Sequence, residues 1–251
     1  KTGLDGFLEA YHVPGTHPQL HRYNKSNDNL VSMKELDERR TWSPTKVYER
    51  HARYASVMRT TQANGKNRSK DPSRPPDEGA PDERLGVANG VEYMFRELRA
   101  LETERSVRAA EELKTAEVPE GVTAGQYHLE LYRKLSLAEG FDWPVITPEQ
   151  WAAAGTAWNV FPNTILLPNQ GSVIGYRARP NGMDPDSCYF EAFCLEQIPV
   201  ADYDKKWEVE PQFFADHTRE DWGEILSQDF SNAEDVTVGM QQRVEILKAL
   251  Y

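Results

Sequence analysis

The chain has 251 residues, a formal net charge of −11 at pH 7 and a mean hydropathy of −0.71. Its length allows one large hydrophobic core, and its acidic balance argues against nucleic acid or an anionic membrane surface as a partner. No apolar run approaches the roughly 20 residues that a membrane-spanning helix needs. Because the sequence begins at Lys1 and no secretory leader opens it, we expect a fragment of a longer protein.

The first 84 residues combine two predicted helices with long polar stretches. Residues 3–12 place apolar side chains on one side of a helix, and Val13-Pro14-Gly15 is expected to end it. Residues 44–60 predict a second helix by their spacing, although their β-branched and aromatic content keeps a strand open as an alternative. Residues 62–84 hold Pro, Gly and charged residues with almost no apolar anchor, which predicts a flexible surface loop.

The rest of the chain predicts helices that frame an antiparallel meander. Turn residues separate the predicted strands, and Thr218 with Asp221 three residues on marks the start of a long C-terminal helix at about residue 219. Together these elements indicate a single α+β domain over residues 1–251. The predicted helices cover 89–115, 123–138 and 148–154, and the predicted strands cover 157–167, 172–179 and 187–197.

The two cysteines, Cys188 and Cys194, lie six residues apart in one predicted strand, where alternation puts both on the same face. We interpret them as buried free thiols of a reduced, cytoplasmic protein. Neither is followed closely by a histidine, and two cysteines are too few for an iron–sulfur cluster of the mixed Cys/His type.

Two of the six histidines form a candidate chelate in the segment EAYHVPGTHP. In an unbroken helix His12 and His17 would point about 140° apart, so both could not bind one small ion. The interruption at Pro14-Gly15 lets the chain leave the helix after His12 and curl back to present His17. The remaining histidines are interpreted as ordinary hydrogen-bonding residues: His21, His51, His128 and His217.

A carboxylate lies on the apolar stripe of the predicted C-terminal helix. Asp229 is three residues beyond Leu226 and four before Ala233, which places it on the face that should meet the core. A lone carboxylate on such a face is costly unless it is paired or bound to a cation. A buried salt bridge and a metal ligand are both open for Asp229. The other members of the stripe are Trp222, Ile225, Val236 and Met240.

Two imidazoles and one carboxylate from separate elements can form a 2-His-1-carboxylate facial triad, which leaves open positions on Fe(II). Mg²⁺ and Ca²⁺ are disfavoured because they prefer all-oxygen ligand shells. Zinc stays open as an alternative, since two histidines and a carboxylate also hold the metal of hydrolytic zinc enzymes.

Three segments resemble one family, the large (α) subunits of Rieske ring-hydroxylating oxygenases. LDGFLEAYHVPGTHPQL resembles the iron-binding segment, QDFSNAED the third-ligand helix, and the meander from NTILLPNQG to CYFEAFCL the central strands. The likeness covers both ends of the chain and is weak across residues 24–150. It implies that His12 and His17 are the imidazole ligands of a mononuclear Fe(II) and that Asp229 is the carboxylate ligand.

The resemblance also implies a catalytic role for Glu9, three residues before His12. The family usually has Asp at this position, where it links the Rieske cluster to the iron across a subunit boundary. Glu is one methylene longer. On the predicted helix it can hydrogen-bond an imidazole or lie exposed. Asp5, one turn earlier, matches a family position that is often polar.

The fold that the resemblance implies is the helix-grip (START/Bet v 1-like) domain, a curved antiparallel sheet around a long C-terminal helix. The expected reaction is hydroxylation, as a cis-dihydroxylation, of an aromatic substrate by O₂ at Fe(II). The [2Fe-2S] Rieske cluster would belong to the full-length protein, in a domain N-terminal to this one, with ferredoxin and reductase as electron donors. The expected assembly is a homotrimer or an α3β3 hetero-oligomer.

Three other functions stay open. A metal-free carrier of hydrophobic ligands would share the fold, but it needs neither the histidine pair nor Asp229. A zinc hydrolase would need a general base beside the metal-bound water, a role that Glu9 can fill. A monooxygenase or O-demethylase of the same family would use the same three ligands as a dioxygenase.

Overall fold

The computed structural model describes most of the second half of the chain and separate parts of the first half. The described residues are 4, 12–19, 45–54, 82–98, 101–147, 150 and 153–250. Among their helices, none combines the length and the apolar character that crossing a membrane requires. The predicted helices at 3–12 and 148–154 lie largely outside the described residues, as does the predicted loop up to residue 81.

The described elements combine helices with one sheet of six strands, which is the α+β architecture that the sequence predicts. A short 3-10 turn at Val200–Asp202 precedes an irregular segment that leads to the last helix. In chain order the elements are α1 (Val13–Thr16), β1 (Thr45–Tyr48), β2 (His51–Tyr54), α2 (Glu83–Leu98), α3 (Glu104–Leu113), α4 (Ala124–Ala138), β3 (Ala157–Val160), β4 (Thr164–Asn169), β5 (Ser172–Asn181), β6 (Asp184–Glu196) and α5 (Arg219–Leu250).

The sheet is an antiparallel meander in which the strands pair in sequence order from β1 to β6. The predicted strand at 157–167 is in fact two strands, β3 and β4. Pro162 has no N–H to offer to a ladder, and the chain reverses across residues 161–163. Cys188 and Cys194 are free on β6 as predicted, but both are exposed, so their prediction as buried thiols was wrong.

The prediction of a helix over 44–60 was wrong, because residues 45–54 form the β1–β2 hairpin. Helical spacing and strand-favouring side chains coexist in this segment. Pairing with a distant strand settles the outcome: Ala52 of β2 lies opposite Asn159 of β3. Such long-range pairing routinely overrides a local pattern.

Between the hairpin and β3 the chain forms helices whose bounds differ in part from the predicted ones. The predicted helix at 89–115 is two helices, and the second, α3, begins where the Thr103 side chain accepts a hydrogen bond from Ser106 N. The first, α2, begins at Glu83, so the last two residues of the predicted loop 62–84 are helical. The predicted helix at 123–138 is confirmed as α4, with a capping box formed by Thr123 and Gln126.

The main core joins one face of the sheet to α2 and to the beginning of α5. From the sheet come Ile174 and Tyr176, which share a face of β5 because they are two residues apart. From α5 come Ile225 and Leu226, the central part of the predicted apolar stripe. Val236, predicted on the same stripe, is 40% exposed, so the described core ends before that turn of α5.

The long C-terminal helix begins as predicted but is interrupted after one turn. Thr218 Oγ1 donates to the Asp221 carboxylate over 2.8 Å and accepts from Asp221 N over 3.4 Å. Gly223 then leaves helical geometry, with φ 78° and ψ 169°. A Cβ at this position would lie 2.1 Å from the backbone oxygen of Glu97 on α2. Only glycine combines this backbone conformation with so close an approach.

We therefore expect Gly223→Ala to lower the free energy of unfolding by about 3 kcal/mol, from the positive φ together with the clash against α2. The matched control is Gly239→Ala, further along α5, where an added Cβ meets nothing within 4 Å. That change should leave stability equal or raise it by up to about 1 kcal/mol. Urea unfolding of the three proteins measures the difference, and equal midpoints would contradict this account of Gly223.

Candidate metal centre

Two short-range features of the backbone bring the histidine pair together. His12 lies in a bend, and its carbonyl oxygen accepts from Gly15 N over 3.0 Å and from Thr16 N over 2.8 Å. These bonds close the single turn α1, and His17 follows it directly. The chain was expected to leave a helix at Pro14-Gly15; instead those residues form the helical turn itself. As expected, a tight turn of the chain still brings the two imidazoles close together.

The third candidate side chain comes from α5. Ligand-type atoms of His12, His17 and Asp229 all lie within 4.8 Å of one another. His17 Nε2 is 2.8 Å from Asp229 Oδ1, and His12 Nε2 is 3.8 Å from the same oxygen. The two imidazole rings meet edge to face, with centroids 5.5 Å apart. Residues more than 200 positions apart in sequence thus converge on one point.

The cluster has a buried side and an open side. The His17 side chain is 3% exposed, whereas those of His12 and Asp229 are each 18% exposed. On the open side lies a cavity of about 810 Å³. Its described lining includes His12, the end of α1 and the polar face of α5 from Ser227 to Asp235. A small molecule can therefore approach the cluster from the His12 side.

One neighbouring amide fixes the orientation of the buried imidazole. Gln228 Oε1 lies 2.8 Å from His17 Nδ1 and also accepts from Gln19 Nε2 over 2.7 Å. A carbonyl oxygen can only accept, so Nδ1 of His17 carries a proton. In the neutral imidazole the other nitrogen, Nε2, then has a lone pair that points towards Asp229.

The donor atoms of this cluster show whether a metal ion would fit between them. A neutral His17 would set the Nε2 lone pair against a carboxylate oxygen 2.8 Å away, which is unfavourable unless a proton or a cation lies between them. Burial lowers the pKa of His17, but the hydrogen bond and charge of Asp229, with Gln228, hold this pKa above its ordinary value. Two imidazoles and a carboxylate form a donor set that suits a divalent transition metal.

An aromatic layer supports the cluster from the core side. Phe230, the residue after Asp229, contacts Phe190 of β6 and Trp222 of α5, each with ring centroids 5.1 Å apart. Phe190 in turn contacts Tyr176 at 5.7 Å. Burial and the charge of Asp229 raise the pKa of Tyr176, so its phenol stays protonated. This layer fixes the turn of α5 that carries Asp229.

The other histidines and acidic residues that the sequence singled out lie at other places in the chain. Glu9, Asp5 and His21 lie outside the described residues. His128 is buried with Nε2 2.9 Å from the Ser106 carbonyl oxygen, an ordinary structural role as predicted. His51 lies on β2 rather than on a helix, and its Nδ1 accepts from Phe161 N over 3.2 Å. His217 lines the cavity, with Nδ1 3.7 Å from Glu234 Oε1.

Sequence reasoning missed Gln228 and Gln19. Gln228 directly precedes Asp229, and that adjacency was the one signal that could have singled it out. Gln19 is two residues beyond His17, a spacing that carries no established meaning. Both act through hydrogen bonds that exist only after α5 has packed beside the histidine turn.

We expect Gln228→Leu to weaken divalent-metal binding by about tenfold, because groups that orient a liganding imidazole typically have effects of this size. The matched control is Asn232→Leu, the same kind of change one turn further along α5, on the cavity wall. Anaerobic titration with Fe(II) measures both affinities. Equal affinity for Gln228→Leu and the wild type would show that the amide does not orient His17.

The chain is similar to one family of known proteins. The model of the family described as the ring-hydroxylating α subunit (catalytic domain) matches residues 1–247. Neither curated proteins nor solved structures gave a significant match to the chain. The family match spans nearly the whole chain and includes all three clustered side chains. The chain therefore belongs to the ring-hydroxylating oxygenases, as the catalytic domain of a Rieske-type α subunit.

Proposed function

We propose that His12, His17 and Asp229 hold one Fe(II), and that the protein uses O₂ there to hydroxylate an aromatic substrate, with cis-dihydroxylation as the reaction. The observation that carries this proposal is the convergence of the three donor groups within 4.8 Å beside an open cavity, in a chain of this family. When bound, Fe(II) supplies the site where O₂ is coordinated and reduced.

The contribution of the chain itself is geometric and electrostatic. Gln228 accepts a hydrogen bond from Nδ1 of His17 and so directs Nε2 towards Asp229, where a bound metal would take the place of the proton that lies between Nε2 and Oδ1. The carboxylate of Asp229 balances part of the cation's charge in a half-buried environment. Phe190 and Phe230 pack against each other and against the core, and so help to hold the helical turn that carries Asp229.

The open face leaves space for substrate. His12 forms the boundary between the cluster and the cavity, so a ring bound in the cavity would lie beside the metal rather than behind it. The described lining of the cavity is largely polar, with Thr16, Ser231 and Asn232 among its members. We infer that faces of the sheet supply the apolar part of the substrate pocket.

Iron is preferred over zinc in this proposal because of the family membership, since the same donor set can serve either metal.

A metal-free carrier is disfavoured by the site itself. Such a protein would gain nothing from a buried imidazole held against a carboxylate, which costs desolvation and lowers the affinity for apolar ligands. Glu9 remains our candidate for the residue that connects the Fe(II) to the Rieske cluster.

The rest of the assembly is proposed on the same basis. We propose that the sheet and α5 form a helix-grip domain. We also propose that electrons pass from a reductase and a ferredoxin to a Rieske [2Fe-2S] cluster, and from that cluster to the Fe(II). The proposed oligomer is a homotrimer or an α3β3 assembly. Free thiols at Cys188 and Cys194 suit the reducing cytoplasm, which we propose as the location.

The test uses hydrogen peroxide, which supplies both the oxygen atoms and the electrons for the reaction and so replaces O₂ and the Rieske donor. Fe(II)-loaded protein is given ¹⁸O-labelled peroxide with naphthalene or anisole as probe substrates. We expect ¹⁸O-labelled hydroxylated product from the wild type and none from Asp229→Ala. Two labelled oxygens on one naphthalene ring indicate dihydroxylation, whereas formaldehyde from anisole indicates O-demethylation.

Two results would contradict the proposal. One is an equal yield from the wild type and Asp229→Ala, since the product would then not depend on the cluster. The other is robust turnover of the isolated chain with O₂ and NADH alone, since the proposal assigns electron delivery to a Rieske cluster that these 251 residues do not carry.

A further inference from the structure

The helix that carries Asp229 restarts five residues before it. Gly223 has non-helical backbone angles, so the segment from Glu224 onward begins a new run of helix inside α5. The first N–H groups of any such run have no partner within the helix. Ordinarily a Ser, Thr, Asp or Asn side chain at the preceding position accepts one of these bonds. Here that position is a glycine, which has no side chain to offer.

A side chain from another helix fills this role. Glu97, in the last turn of α2, accepts the backbone N–H of Glu224 through Oε2 over 3.1 Å. Its Cα and carbonyl are the very groups that a Cβ at Gly223 would strike. The absence of a side chain at residue 223 is therefore what lets α2 approach closely enough for the Glu97 carboxylate to reach the new helix start.

The capping carboxylate is itself held firmly. Arg219 donates to it from Nη2 over 2.9 Å and from Nε over 3.3 Å, and Arg96 Nε donates over 2.8 Å. Glu97 is 5% exposed. Burial opposes its ionisation, but Arg219, Arg96 and the Glu224 amide lower the pKa of Glu97 to about 2, so it is charged at neutral pH.

A second bond between the same helices fixes the side chain of the first residue in the new run. Tyr93, one turn before Glu97 on α2, donates its hydroxyl to the Glu224 carboxylate over 2.8 Å. Backbone and side chain of Glu224 are thus both tied to α2. Gln228 and Asp229 follow four and five residues later, within about one and a half turns.

We propose that Glu97 is a positioning residue for the metal centre: it caps, from α2, the helical run that starts at Glu224, and so sets where Gln228 and Asp229 lie relative to His17. The inference rests on the proposed function of the cluster as an Fe(II) site. Its physical basis is that each residue of a helix turns by about 100° and rises about 1.5 Å. A change in where the run begins is therefore carried directly to Asp229.

The test compares Glu97→Ala with Glu97→Gln and with a control at a half-buried carboxylate elsewhere in the fold. The control is Glu102→Ala, whose described hydrogen bonds are to Ser106 and Asn169 rather than to α5. Each protein is titrated anaerobically with Fe(II), and the Co(II)-substituted form is recorded by visible absorption, which reports the coordination geometry. Urea unfolding of the metal-free proteins separates loss of stability from loss of the site.

We expect Glu97→Ala to weaken Fe(II) binding by about tenfold and to change the Co(II) spectrum, as removal of supporting groups around metal ligands does. Glu97→Gln keeps an amide oxygen that can accept from Glu224 N, so its affinity should fall between those of Glu97→Ala and the wild type. Glu102→Ala should keep the wild-type affinity and spectrum, whatever it loses in stability.

Unchanged Fe(II) affinity and Co(II) spectrum in Glu97→Ala would overturn the inference, as would an equal loss in Glu102→Ala. If Glu97→Ala does not fold, Arg219→Ala decides, because it removes two of the three side-chain hydrogen bonds that hold the Glu97 carboxylate, from a largely exposed position. Wild-type affinity in that variant also overturns the inference. Failure of the wild type to bind Fe(II) would instead overturn the proposed function itself.

Discussion

Nε2 of His17 and Oδ1 of Asp229 lie 2.8 Å apart in this domain. With the proton of His17 held at Nδ1 by Gln228, the contact between them is stable only when a proton or a cation lies between. His12 adds a third donor on the side that faces the cavity. The rest of the fold can be understood from what it takes to keep these three groups together: a tight turn for the histidines, and a helix fixed against the sheet for the carboxylate.

The sheet and α2 supply that fixation from two directions. Ile174 and Tyr176 of β5 pack against Ile225 and Leu226, which sets the distance of α5 from the sheet. α2 approaches Gly223 so closely that no side chain fits there. Apolar packing is non-directional. The position of α5 along its own axis is therefore determined by the hydrogen bonds that join Glu224 to α2. This division of roles explains why a helix with a largely polar face can still place one carboxylate with the accuracy that a metal site demands.

The sequence predicted the members of the cluster and the main β-meander, because these depend on local signals. The spacing of His12 and His17 around Pro14-Gly15 and the place of Asp229 beside Leu226 are both visible in short windows. What it missed depends on long-range contacts. The hairpin at 45–54 forms because β2 pairs with β3 about a hundred residues away. The break at Gly223 depends on the approach of Glu97, and the role of Gln228 depends on the packing of α5 beside residue 19. These contacts join distant parts of the chain, so short windows of sequence do not reveal them.

The central claim, that three side chains from both ends of the chain hold one iron ion, is tested most directly by metal content. Wild type and Asp229→Ala are loaded with Fe(II) without oxygen, desalted and analysed for iron, with Asp235→Ala as a control on the same helix and cavity wall. The account predicts about one iron per chain in the wild type and in the control, and almost none in Asp229→Ala, because a facial triad has no spare ligand. Equal iron in all three proteins, or negligible iron in the wild type, would contradict it.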